Sequence, residues 1–84
     1  MRIVRTVITD KDTYYSPREE GSSFVLQADP FNFGYLFVFG EQRKERVVLM
    51  PGQFLPLPCK SMDEVFVQGA YVGDSFYLLV GERD

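Results

Sequence analysis

Apolar and polar residues alternate along most of this chain. In an extended segment, residues two apart share a face. Residues 2–9 place Ile3, Arg5 and Val7 on one side and Val4, Thr6 and Ile8 on the other. Residues 22–28 set Phe24, Leu26 and Ala28 against Val25 and Gln27. The run FNFGYLFVFG at 31–40 puts Phe31, Phe33, Tyr35, Phe37 and Phe39 on one face, and Asn32, Gly34, Leu36, Val38 and Gly40 on the other. Residues 45–50, 54–59, 63–68 and 75–80 complete a set of seven segments rich in Val, Phe, Tyr and Leu. Each predicts a short strand. No window sustains the ~3.6-residue period of an amphipathic helix, so little or no helix is expected.

The breaks between these segments have mechanisms. GEQRKE at 40–45 is polar and lies between two strong strands, which predicts a hairpin. Pro51-Gly52 and Gly73-Asp74 predict tight turns, because Pro presets φ and Gly tolerates positive φ. Pro56 and Pro58 cannot donate to a ladder, so residues 54–59 should form an edge strand or an irregular one. Residues 10–21, DKDTYYSPREEG, read as one long surface loop. The predicted fold is all-β: a small antiparallel β-sandwich or partly open barrel of about seven strands. The aromatic face of 33–39 is expected to pack the sandwich, with Phe31 leaving the strand just after Pro30.

At 84 residues, the chain is one domain, residues 1–84. A domain this small buries only about 60–65% of the surface its unfolded chain exposes. Eight Phe and five Tyr are many to hide, so part of the aromatic area is expected to meet a partner. The net charge of −3 argues against nucleic acid, whose binding rests on neutralising phosphates with Lys and Arg. No basic run suits an anionic membrane. Arg5, Thr6 and Thr9 interrupt any leader-like apolar run, and no stretch reaches the ~20 apolar residues of a membrane span.

Candidate chemistry fails on residue types. Without histidine, no Ser-His-Asp or Cys-His arrangement can form within the chain. The single cysteine, Cys59, reads as a partly buried free thiol. An RNP1 pattern laid over 33–40 matches at Gly34, Tyr35, Phe37 and Val38 but lacks the basic first residue, the small fourth and the final aromatic. A calcium loop starting at Asp10 would put Tyr14 at position five, Tyr15 at the obligatory glycine and Gly21 at the closing glutamate. Asp63 and Glu64 point to opposite faces of a strand and form no acid/base pair. The expectation is no enzyme, no metal and no cofactor.

Residues 46–82 run as strand Val47–Met50, turn Pro51-Gly52, strand Phe54–Pro58, strand Val65–Gly69, turn Gly73-Asp74 and final apolar strand Phe76–Val80. This layout resembles the closing half of small phage virion structural proteins of the capsid decoration, or cement, type. The resemblance implies a bacteriophage structural protein that sits on the virion, binds the major capsid protein and stabilises the head, as a homo-oligomer (trimer or dimer). Tail, connector and fibre-base components share the style. A carbohydrate- or peptide-binding β module remains an alternative, and a nucleic-acid-binding barrel the weakest one. Partner contact is expected at Tyr14, Tyr15, Arg18, Phe31, Arg43, Lys44 and Tyr71, chosen for predicted exposure.

Overall fold

The computed structural model describes residues 1–58 and 64–82. Cys59 and Asp63, and with them the readings made for these two side chains, lie outside the described residues. Seven strands form: β1 (Arg2–Val7), β2 (Ser23–Ala28), β3 (Leu36–Phe39), β4 (Arg46–Leu49), β5 (Phe54–Leu57), β6 (Phe66–Gly69) and β7 (Ser75–Gly81). Two antiparallel sheets pack face to face, one ordered β1-β7-β2-β5 and the other β4-β3-β6. The predicted all-β sandwich is the observed fold.

The core lies between the sheets. Phe24, Leu26 and Ala28 of β2 meet Phe76, Leu78 and Val80 of β7 in register, and all are buried. Leu36 and Val38 of β3 close the core from the other sheet with Leu49 and Val67. Each such side chain contributes about 1.5–3 kcal/mol on leaving water. Chain neighbours mostly do not pair. Among the described residues only β3 and β4 form a hairpin, through Gly40 to Glu45; the links β2–β3, β4–β5 and β6–β7 join strands of different sheets.

The turns follow the predicted chemistry. Gln53 N–H donates to Met50 O across 3.0 Å, with Pro51 second and Gly52 third at φ 84°. That is the geometry in which Pro presets one residue and Gly supplies the positive φ of the next. β5 is an edge strand, with Pro56 opposite Val25. The 10–21 loop is more ordered than a plain surface loop. Tyr15 exchanges two backbone hydrogen bonds with Val67, both 2.7 Å, and so flanks β6.

The aromatic stripe at 31–39 corrects the expectation that it packs the core. The inward positions of β3 are Leu36 and Val38, both buried. The aromatic positions face outward; of the five rings only Phe39 is buried, at the edge-on contact of Tyr14, with centroids 5.1 Å apart. The reason is that the strand begins only at Leu36, so Phe31 and Phe33 belong to the loop before it. On its inward face β3 is flanked within its own sheet by Leu49 and Val67 and by Gly69, where a Cβ would collide with Ile8. Outside, Arg46 lies 4.6 Å from the Phe37 ring centroid, and Arg43 bridges Tyr14 and Phe66 at 5.2 and 5.0 Å. Guanidinium groups thereby cover part of the outward aromatic surface, each contact adding about 0.5–1 kcal/mol at an exposed site.

This inverted facing sets two substitutions apart. Leu36→Ala should lower unfolding free energy by about 2–5 kcal/mol in urea titrations, and Phe33→Ala should stay within about 0.5 kcal/mol of the parent. Equal losses would mean the aromatic face is the packed one after all.

Candidate functional site

One end of the sandwich carries an aromatic tip on a rigid base. The sequence Asp29-Pro30-Phe31-Asn32 closes a turn, with Asn32 N–H donating to Asp29 O at 3.1 Å. Asp before Pro at the start of a turn is favoured: the carboxylate accepts a local N–H and Pro presets φ. Here Asp29 Oδ1 accepts from Phe31 N–H at 2.9 Å. Its Oδ2 accepts from the Ser75 hydroxyl at 2.8 Å and lies 4.0 Å from the Arg5 guanidinium. Asn32 reaches across to β7 and binds Ser75 twice, donating to its carbonyl at 2.9 Å and accepting its N–H at 2.8 Å.

A second carboxylate completes the base. Asp74 is buried, and its two oxygens accept from Phe33 N–H and Gly34 N–H, each at 2.9 Å. No cation stands within ion-pair distance of it among the described residues. A buried charge is costly unless hydrogen bonds replace its water. At Asp74 those bonds come from the tip's own backbone, so folding of the tip and solvation of the charge are one event. Gly34 has a further role. A Cβ there would collide with the Tyr71 ring, so the glycine lets Tyr71 lie against the tip. Tyr71 itself belongs to the turn that delivers Asp74, with Gly73 at φ 99°.

This base presents apolar rings to solvent. Phe31 is 91% exposed and Phe33 90%, beside half-exposed Tyr71 and exposed Val72. The two carboxylates at the tip, Asp29 and Asp74, are turned into the fold and occupied by hydrogen bonds, whereas the Tyr71 ring is exposed.

The expected contact residues fall in three places. Phe31 and Tyr71 meet at the tip. Tyr14, Arg43 and Lys44 lie towards the opposite end of β3, at or beside the 40–45 hairpin, where Arg43 adopts φ 55° with its guanidinium over Tyr14. Tyr15 and Arg18 belong to neither group. Tyr15 is turned inward; its pKa is lowered first by the hydrogen bond between its hydroxyl and that of Thr9 at 3.0 Å, and then by the N–H groups of Thr9 at 2.9 Å and Asp10 at 3.0 Å, which donate to the same oxygen and favour the phenolate. Arg18 is exposed in the long loop. Sequence reasoning did not single out Phe33 as an exposed ring, nor Asp29, Asn32 and Asp74 as the groups that hold its loop. Asp29-Pro30 carried a local signal; Asp74 carried none beyond its turn.

The hairpin end also holds an open cleft of about 640 Å³. Val38, Val47, Leu57 and Val65 form its apolar lining, and Arg43, Lys44, Glu45 and Arg46 line it from the hairpin. No group of three or more potential metal ligands occurs among the described residues. None of their helices is long and apolar enough to cross a membrane. Comparison with known protein families, with curated proteins and with solved structures returns no match.

The Asp29 carboxyl sits below its ordinary value near 3.8, first through the Phe31 N–H and then through Ser75, Tyr77 and Arg5. A depressed native pKa stabilises the fold above the unfolded value, and that contribution disappears as pH falls through the native one. Stability should therefore drop on acidification below about pH 4, and Asp29→Asn should flatten this acid limb in pH-dependent thermal melts. Asp74→Ala, which strands two amides, should cost about 2–3 kcal/mol at neutral pH and raise hydrogen exchange at Phe33 and Gly34.

Proposed function

We propose that this chain is a non-catalytic structural module that adheres to another protein through its aromatic tip. The observation that carries this reading is the pair Phe31 and Phe33, almost wholly exposed on a loop fixed by two aspartates. Side chains of this kind are ordinarily withdrawn from water. A loop that is rigid before binding loses little entropy when it docks. The specific setting is the one the 46–82 resemblance implies: decoration of a phage head, with the tip seated on the major capsid protein at a junction between subunits. A carbohydrate- or peptide-binding module would present tyrosines along a groove, whereas these rings project.

Magnitudes constrain the mode of use. Burying one Phe is worth about 1.5–3 kcal/mol. Two rings give about 3–6 kcal/mol, which reaches only the low end of the cost of association itself, about 4–15 kcal/mol. One tip alone therefore binds weakly. Tight adhesion requires the rim residues Tyr71 and Val72 as well, or several tips engaged together.

The test is co-sedimentation of purified protein with empty heads of the phage that encodes the chain. Binding should saturate at a fixed ratio to the capsid subunit. A Phe31→Ser/Phe33→Ser double variant should fold normally and bind at least tenfold more weakly. Absence of saturable binding by the parent protein would refute head decoration, and unchanged binding by the double variant would refute the tip as the contact.

A further inference from the structure

The two sheets have four outer edges, and three carry a feature that obstructs addition of another strand. β6 is flanked by Tyr15, which takes up both the N–H and the C=O of Val67. β5 contains Pro56, which has no N–H to donate. β1 carries Arg2 on its core-facing register, opposite Val80, and that guanidinium is held by Glu19 and Glu82 at 2.6 Å and by the Glu20 carbonyl at 2.8 Å. An inward-pointing charge at an edge and a covering loop are both known ways to prevent edge pairing. Among the described residues, β4 has none of these. Its sequence is Arg-Val-Val-Leu, it is free of proline, and its one charge, Arg46, is folded over the Phe37 ring. Among the described residues no strand pairs with its outer side. Val47 and Val48 remain 51% and 44% exposed there.

We infer that β4 is the self-association edge: two copies of this chain pair β4 to β4, antiparallel, across a two-fold axis, joining their three-stranded sheets into one of six strands. The charge pattern admits a second copy. With the axis near Val48, Val47 of one copy faces Leu49 of the other and Arg46 faces Met50. No like charges stand directly opposite, an arrangement that would destabilise the pair. The edge amides and carbonyls find partners, and Val47, Val48 and Met50 lose water. The contact is short, so the dimer is weak and reversible, of the class formed by interfaces below about 1,200 Å².

The axis has a geometric consequence. Antiparallel pairing reverses strand direction, so the loops that precede β3 in the two copies lie at opposite ends of the joined sheet. The dimer presents one aromatic tip at each end. Such a unit can bridge two neighbouring sites, and the second contact becomes intramolecular once the first has formed. The edge argument itself stands without the docking reading.

Sedimentation velocity from about 1 µM to about 1 mM tests the proposal. The parent chain should shift from monomer toward dimer with concentration. Val48→Lys, which places a charge on the edge at a half-exposed position, should raise the dissociation constant at least tenfold while its circular dichroism spectrum stays that of the parent. Hydrogen exchange of the parent provides a readout that needs no variant: amides of residues 46–49 should gain protection with concentration, and those of β1 and β5 should not. Phe31→Ser/Phe33→Ser should dimerise like the parent, which separates failure of the edge from failure of the tip. A parent that stays monomeric throughout, a Val48→Lys protein with an unchanged dissociation constant, or edge protection independent of concentration would each overturn the proposal.

Discussion

Two buried carboxylates hold the end of this sandwich together, and the exposed aromatic tip depends on them. Asp29 and Asp74 arrive from different sheet crossings, one at the end of β2 and the other just before β7. Between them they receive the N–H groups of Phe31, Phe33 and Gly34, and Asp29 also takes the Ser75 hydroxyl. A charge removed from water must be met by dipoles or by an opposite charge. Here the dipoles belong to a loop that would otherwise have little reason to be ordered, because its largest side chains face solvent. Electrostatics thus does at this end what hydrophobic burial does in the middle of the molecule.

The opposite end is stabilised differently. Arg43 and Arg46 spread over Tyr14, Phe66 and Phe37, so aromatic surface is covered by cations. These contacts are shallow and adaptable, whereas the aspartate base is directional and fixed. Arg43 accepts a left-handed backbone conformation at the hairpin tip, φ 55°, which a non-glycine residue adopts at some cost. Its position over two rings offsets that cost in part.

Most of the strand layout is legible in the sequence because alternation, proline and turn chemistry are local signals. Pro56 marks an edge, Pro51-Gly52 a turn and GEQRKE a hairpin without reference to anything distant. Alternation says which residues share a face, but it does not say which face is inward when both are apolar. In FNFGYLFVFG, one face offers five rings and the other offers Gly34, Leu36 and Val38. The inward face is completed by residues far along the chain: Leu49, Val67 and Gly69 flank Leu36 and Val38 in the sheet, and Asp74 accepts the backbone N–H groups of Phe33 and Gly34 just before the strand begins. The tip was invisible for the same reason. A hydrogen bond from Phe33 to Asp74 spans 41 residues, and no window of sequence contains it. The self-pairing proposed at β4 likewise comes only from comparing four edges in space.

The base grips peptide groups rather than side chains. Asp29 and Asp74 read N–H positions that every residue except proline provides, and Asn32 binds β7 through its own amide. The identity of the residues at positions 31 and 33 therefore places almost no demand on the fold. Architecture and address are written in separate parts of the same short loop. With the tip as the contact proposed above, such a scaffold can exchange one recognition surface for another by a pair of codon changes, and a lineage carrying it can follow a drifting partner without rebuilding its core.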